Sequence, residues 1–372
     1  MEQFEFIQKK FGFGMMRLPM NGDEVNYEET CRMVDYFIDH GFNYFDTAHG
    51  YIHGKSEIAV RECVAKRYPR EKFILTNKLT GSYFKKEEEI RPLFQKQLEA
   101  CGVDYFDFYL MHAQNSNIFE EFKKARAFET AFDLKKEGKV KHVGISFHDK
   151  AEVLDRILTE YPEIEIVQIQ FNYLDYESAA VESRKVYEVC EKHDKPVLVM
   201  EPVKGGSLVN LPADAKKYLD DLHGGSYASY AVRFAAGFKN IRVVLSGMSN
   251  MEQMIDNVSF MEDFQPLNEK ELEAIRQVVA VYDSMHAIPC TSCRYCIEES
   301  SCPKNILIPD LFSCYNAMKI FNDWNASHYY DRAVSEHGRA SDCIRCGKCE
   351  RVCPQHLPIR DLLAQTAEQF DK

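Results

Sequence analysis

Four side chains of types that move protons stand at the ends of successive short apolar runs. NYFDTAHGY puts Asp46 and Tyr51 at and just beyond one run, KFILTNK ends in Lys78, and YFDFYLMH ends in His112. A tyrosine hydroxyl, with an ordinary pKa of about 10, is a weak acid–base catalyst at neutral pH. A buried ammonium beside it favours the phenolate and lowers that value, which is the part expected of Lys78. Asp46 would keep the ammonium charged in a dry site, and His112 would donate to a carbonyl oxygen and orient it. Such a quartet holds no nucleophile and no metal-ligand set. It suits carbonyl reduction by a hydride that a bound cofactor brings. Taken singly, each residue has an ordinary alternative. Asp46 could cap a helix, Tyr51 could be a rim aromatic, Lys78 a solvated cation and His112 a satisfied core imidazole.

A second chemistry is written in sulfur. Of thirteen cysteines, nine fall between Cys290 and Cys353. The first ladder is C-x2-C-x2-C-x5-C-P, on Cys290, Cys293, Cys296 and Cys302, and the second is C-x2-C-x2-C-x3-C-P, on Cys343, Cys346, Cys349 and Cys353. Thiols grouped in this way point to metal or redox chemistry rather than to structural disulfides. Three thiolates at that spacing can reach three corners of one [4Fe–4S] cube. The rival is a pair of four-cysteine zinc sites, which a remote Cys-Pro, given twice, does not suit. Cys31, Cys63, Cys101 and Cys190 are scattered through apolar-patterned segments and read as small core residues; Cys314, left over in the helical insert, reads as core or as a substitute ligand.

What positions the quartet is an alternation of short β-prone runs and amphipathic stretches from residue 10 to about 265. Eight strands are expected, at 11–16, 43–47, 72–78, 105–112, 140–146, 165–171, 196–201 and 241–247. Between the first two, Asn26 with Glu29 suggests a capping box and Gly41 a helix stop. Strand, helix, strand, helix at this spacing implies parallel pairing. Eight units in this length point to an α/β fold, a (β/α)8 TIM barrel whose active groups sit at the C-terminal strand ends. A doubly wound sheet would be expected to carry G-x-G-x-x-G after its first strand, and GFGMMR lacks the third glycine. The expected divisions are a barrel at 1–265, a connecting helix at 266–289 with Asn268 and Glu271 as its capping box, and a small α-rich iron–sulfur unit at 290–372 with a helical insert at 309–340. That insert, with Trp324 and Tyr329–Tyr330, has two readings: cover for the pocket mouth, or core of the small unit.

With 372 residues and a formal net charge of −12, the chain lacks the basic surface that nucleic acid requires. No run reaches the roughly 20 apolar residues of a membrane span, and the first residues do not read as a signal peptide. No membrane insertion and a cytoplasmic location are the expectations.

FGFGMMRLP, NYFDTAHGYIHGKSE, ILTNK, YLMH, EGKVKHVGISFHD and VQIQFN resemble the aldo-keto reductase family from about residue 10 to 260. The resemblance implies that Asp46, Tyr51, Lys78 and His112 are a catalytic tetrad with Tyr51 as proton donor. It implies a nicotinamide cofactor, NADP or NAD, with Ser146 and Gln168 on the carboxamide. Met200 falls where many members stack a tyrosine on the ring, and Met15, in the first strand, is a further cofactor-binding candidate. SGMSNMEQMIDN, with Gly247, Met248, Gln253 and Asn257, matches the segment that cradles the adenosine phosphate. Three departures stand out. Phe147 replaces the usual asparagine after the serine. Gly247-Met248 and Gln253 replace the Lys-Ser and Arg often used for a 2′-phosphate, which wants basic donors. The expectation is therefore relaxed selectivity or a preference for NAD. Arg17 and His53 are candidates for recognising an anionic or hydroxylated substrate. The ladders resemble the bacterial two-cluster ferredoxin run, in which the remote cysteine serves the other cluster. That implies two [4Fe–4S] clusters, one on Cys290, Cys293, Cys296 and Cys353, the other on Cys343, Cys346, Cys349 and Cys302.

Clusters pass single electrons and nicotinamides exchange hydride, so three readings follow. The barrel interconverts a small-molecule carbonyl and alcohol while the clusters are structural or regulatory. Alternatively the clusters feed the site, directly or through a flavin for which no motif exists, and draw on a redox partner protein. In the third reading the chain is a non-catalytic electron-transfer or binding module.

Overall fold

The computed structural model describes residues 4–178, 181–222, 224–285, 287–321 and 326–371, so Trp324 lies outside the described residues. Eight parallel strands close into a barrel. In chain order they are β1 (Phe11–Gly14), β2 (Tyr44–Asp46), β3 (Ile74–Leu79), β4 (Phe106–Gln114), β5 (Val140–Phe147), β6 (Ile166–Gln170), β7 (Val197–Met200) and β8 (Ile241–Ser246). Neighbours pair in sequence order and β8 closes on β1, with Phe13 opposite Ser246 and Gly14 opposite Asp46. All eight coincide with the expected runs. Parallel strands buried on both faces read as short, nearly continuous apolar stretches, and β3 is buried along its whole length.

The barrel interior is packed rather than open. Phe4, Tyr44, Ile74, Phe108, Leu110, Ile166, Leu198, Val243 and Leu245 form one buried cluster, with Phe4 edge-on to Phe108 at 5.2 Å. Gly12 and Gly144 are required here. A Cβ on Gly12 would lie 2.7 Å from Leu245, and one on Gly144 2.6 Å from the Ile166 carbonyl. Two short strands, Met20–Asn21 and Glu24–Val25, pair antiparallel outside the barrel. The capping box expected at the helix Tyr27–Asp39 forms by half. Asn26 Oδ1 accepts from Glu29 N–H at 3.1 Å, but Asn26 N–H goes to the Pro19 carbonyl and the Glu29 carboxylate is employed elsewhere. Asn268 and Glu271 form their box in full, at 2.8 and 3.1 Å.

The chain divides into two compact units. The first holds residues 1–177, 182–202 and 231–267, and the second holds 178–181, 203–230 and 268–372. The second unit therefore takes up a segment between β7 and β8 as well as the C-terminal stretch. Inside it, the backbone at Gly205 (φ 62°) lies so close to Thr291 that a Cβ there would sit 2.4 Å from the Thr291 carbonyl oxygen. Its core contains Ile306, Ile308, Leu311, Phe312, Tyr330 and Leu363. Tyr330 is fully buried, stacks on Phe370 at 4.6 Å and accepts a hydrogen bond from Ala340 N–H at 2.9 Å. Cover for a pocket is thus not its role, whereas Tyr329 is exposed. Cys314 packs in the same core, and burial pushes its thiol up to about 11. Among the described residues no helix is long and apolar enough to cross a membrane.

Candidate active site and cluster hollows

The C-terminal strand ends bring the four expected residues into one constellation. Lys78, on β3 and fully buried, donates from Nζ to Asp46 Oδ1 at 2.5 Å and to the Thr47 carbonyl at 2.9 Å. The second oxygen of Asp46, at the end of β2, accepts from Gln168 Nε2 on β6 at 3.1 Å. Burial pushes the Asp46 carboxyl up and the Lys78 ammonium down, and each offsets the shift of the other. Lys78 Nζ lies 4.8 Å from the centre of the Tyr51 ring, and that ring meets the His112 ring edge-on at 5.9 Å.

The expected lowering of the Tyr51 pKa does not occur. Its hydroxyl is held well above 10, first by burial and then by the negative charges of Asp46 and Glu201. Lys78 points its charge into Asp46, so little is left to stabilise a phenolate. Tyr51 consequently rests as the neutral phenol. His112 is held well below 6.5, by burial first and then by Lys78 and His148, so it rests as neutral imidazole. Its Nδ1 is 2.7 Å from Thr80 Oγ1, which fixes the ring.

Several supporting groups escaped the sequence reading. Thr80 follows Lys78 by two residues, a spacing with no signal of its own. Behind Lys78 lies the buried carboxylate of Glu57. It accepts from Asn77 Nδ2 at 2.8 Å, Gln97 Nε2 at 3.3 Å and His49 Nδ1 at 2.7 Å, while Gln97 also donates to the Lys78 carbonyl at 2.9 Å. The loop that carries Tyr51 passes through the left-handed region at Ile52 and His53 (φ 52° and 53°). That conformation is costly for a β-branched residue, and the following Ser56 ties the loop down by donating to the Met15 carbonyl at 2.8 Å.

The other expected residues sort by position. Ser146, buried on β5, accepts from Ala113 N–H at 2.8 Å. Met15 is buried, and Met200 ends β7 half-buried. Beyond β8, Asn257 donates to Ser246 Oγ at 2.9 Å and Met248 is buried, while Gly247 and Gln253 are exposed. Arg17 packs its stem on Gly247, and its carbonyl accepts from Ser249 Oγ at 2.9 Å, which sets it beside this segment. His53 is exposed on the Tyr51 loop. Outside the constellation, the Cys31 and Cys63 sulfurs lie 2.8 Å apart, so these two are a pair rather than scattered.

In the second unit the eight ladder cysteines line two hollows. Cys290, Cys293, Cys296 and Cys353 line one, together with Phe312 and Ile359. Cys302, Cys343, Cys346 and Cys349 line another, with Ile306 and Leu363. Each hollow thus takes three thiols from one ladder and one from the other. The backbone repeats as well. Ser292 and Arg345 (φ 55° and 57°), then Arg294 and Gly347 (67° and 72°), are left-handed at matching places, each pair leading into a one-turn helix. These reversals let cysteines three apart face one space. Four thiols around one hollow are the ligand set that a [4Fe–4S] cluster takes.

The chain belongs to the aldo/keto reductase family of oxidoreductases, whose model matches residues 10–280, and the closed parallel barrel with polar groups gathered at its C-terminal strand ends agrees with that. A 4Fe-4S dicluster domain matches residues 289–357. The NADH-specific methylglyoxal reductase of Escherichia coli (strain K12) is 29% identical over 185 residues, 45% of this chain and 54% of that protein, so the match spans about half of its length. The uncharacterized oxidoreductase YqkF of Bacillus subtilis (strain 168) is 25% identical over 303 residues, 71% of this chain and 90% of the relative. Among solved structures, an aldo-keto reductase from Bacillus halodurans in holo form has a TM-score of 0.58 at 24% identity, covering 72% of this chain and 91% of that one. One from Klebsiella pneumoniae in complex with NADPH also has a TM-score of 0.58, at 17% identity, covering 73% and 90%. Both structural likenesses concern the fold.

Proposed function

We propose that the barrel is a nicotinamide-dependent reductase of a small carbonyl compound, with Tyr51 giving the carbonyl oxygen its proton, and that the C-terminal unit, from about residue 290, carries two [4Fe–4S] clusters. The observation that carries the reading is the Tyr51 phenol, held neutral beside the Asp46–Lys78 pair and the His112 ring. A proton donor must be loaded before charge develops on the carbonyl oxygen, and a raised pKa keeps it loaded. Thr80 Oγ1 lies 2.7 Å from His112 Nδ1; in the tautomer in which the hydroxyl donates to Nδ1, the proton of neutral His112 is on Nε2, where it would orient the same oxygen. Lys78 is tied to Asp46, so it shapes the field around Tyr51 rather than exchanging protons.

Met15, Ser146, Gln168 and Met200 would hold the nicotinamide end. The buried hydroxyl and amide of Ser146 and Gln168 offer the donors and acceptors a carboxamide needs. Gly247, Met248, Gln253 and Asn257 would hold the adenosine end. When bound, the nicotinamide supplies hydride to the carbonyl carbon. The name of the Escherichia coli relative suggests a short, reactive carbonyl and NADH. Arg17 and His53 remain candidates for its recognition. The two cysteine quartets, each lining its own hollow, support the assignment of Cys290, Cys293, Cys296 and Cys353 to one cluster and of Cys302, Cys343, Cys346 and Cys349 to the other. The reading implies a cytoplasmic protein with a redox partner for the clusters.

The test is anaerobic NADH oxidation dependent on a panel of small aldehydes and ketones. Tyr51→Phe should lower the rate by roughly 10²–10⁴ while NADH still binds. A Tyr51→Phe protein of unchanged rate, or turnover by dithionite-reduced protein without nicotinamide, would overturn the proposal.

A further inference from the structure

The helix Met251–Met261 receives at its N-terminus a carboxylate from a distant part of the sequence. Glu29, in the first turn of the helix Tyr27–Asp39, accepts from Met251 N–H at 2.9 Å. Its other oxygen pairs with Arg32 at 3.1 Å. The neighbouring donors are also engaged. Asn250 Oδ1 accepts from Gln253 N–H at 2.9 Å, and Gln253 Oε1 accepts from Ser249 N–H at 2.8 Å. A helix N-terminus attracts anions through its free N–H groups and its dipole. Here that demand is met by the chain's own carboxylate, and Glu252 adds a second acid in the first turn. The cations at hand do not reverse this. Arg32 has a side chain 63% exposed and is bound to Glu29 itself, and Arg17 lays its stem on Gly247.

We propose that Glu29 is a specificity-determining residue that selects NAD(H) against NADP(H). The inference rests on the reading that residues 246–257 hold the adenosine end of a nicotinamide dinucleotide. A phosphate monoester carries a charge of about −1.5 to −2 near neutral pH. At this loop it would meet a carboxylate, with the Met251 and Gln253 N–H groups already taken. A ribose hydroxyl is a donor, and a carboxylate can only accept, so the same residue that repels a 2′-phosphate suits a free 2′-hydroxyl. This is selection by repulsion as much as by attraction.

The experiment measures dissociation constants of NADH, NADPH, 5′-AMP and adenosine 2′,5′-bisphosphate on the full-length protein, purified anaerobically with its clusters, by cofactor fluorescence and displacement. The wild type should favour NADH over NADPH by on the order of tenfold or more, and the ratio should narrow as salt rises. Glu29→Gln keeps an oxygen for Met251 N–H and should fold. It should shrink the preference by roughly tenfold, chiefly by tightening NADPH and adenosine 2′,5′-bisphosphate. Glu29→Asp should retain most of the preference. An unchanged ratio in Glu29→Gln, or a wild type that prefers NADPH, overturns the role of Glu29 and leaves the nicotinamide reading standing. Failure of all four compounds to bind wild-type protein overturns both.

Discussion

Gly205→Ala should damage one cluster hollow and spare the other. Gly205 has φ 62° and ψ 16°, in the left-handed region, where an L-residue costs roughly 1–2 kcal/mol. The added methyl would also lie 2.4 Å from the Thr291 carbonyl oxygen and 3.0 Å from its carbon. Both obstacles are backbone, so no rotamer relieves the clash, and forced overpacking of this kind costs about 1–3 kcal/mol more. The sum, about 2–5 kcal/mol, falls on a buried residue between Cys290 and Cys293 that lines their hollow. Gly22→Ala is the control. It has nearly the same φ, 61°, and nothing within 4 Å of the new methyl, so it carries the strain without the clash. Iron and sulfide per chain, together with EPR of the reduced protein under anaerobic conditions, should show Gly205→Ala losing the iron of one cluster while the other keeps its signal. Gly22→Ala should keep both. Full iron content and an unaltered spectrum in Gly205→Ala would refute the close approach and the placing of a cluster against Thr291.

Two further outcomes follow from the same structure. Cys302→Ser should disturb the cluster whose other thiols are Cys343, Cys346 and Cys349, and Cys353→Ser the one on Cys290, Cys293 and Cys296; EPR and iron counts showing each loss within its own ladder would contradict this. Because Tyr51 titrates well above 10, carbonyl reduction should hold its rate through the alkaline range in which an ordinary tyrosine begins to ionise, whereas alcohol oxidation, which needs the phenolate as base, should climb with pH. Steady-state pH profiles in the two directions check the sign, and a reduction rate that falls well below pH 10 would refute it.

The barrel was legible because its evidence is local and repeated. Each strand is a short apolar run bounded by polar residues, and the reactive side chains stand at run ends, where a parallel barrel must gather them. The ladders were legible because their spacing is covalent. What escaped notice depends on contacts between distant parts of the chain. Glu29 looked like the second half of a capping box. Pro19 takes the N–H that it would have capped, and Met251, 222 residues away, takes the carboxylate. The left-handed turns at Ser292, Arg294 and Arg345 carry no glycine to announce them. The excursion 203–230 has ordinary composition, and only folding reveals that it belongs with the second unit. The Tyr51 pKa follows the same rule. A lysine beside a tyrosine implies a lowered pKa, and the structure directs that charge to Asp46 instead.

The direction of the Lys78 charge also bears on the competing readings. With Asp46 and Lys78 cancelling, and with Tyr51 and His112 neutral, the resting quartet bears no net charge. Negative charge arriving on a carbonyl oxygen would then be met by a transferable proton rather than by a fixed cation. Either hydride or single electrons could exploit such a donor. Ser146 and Gln168 bear on that choice. They are buried polar side chains on β5 and β6, the second joined to Asp46 itself. Burying such groups costs free energy unless they are paired, and both are paired within the protein, Ser146 with Ala113 N–H and Gln168 with Asp46. The proposed nicotinamide reading gives the two a further use, on the carboxamide, and the cluster-fed reading gives them none.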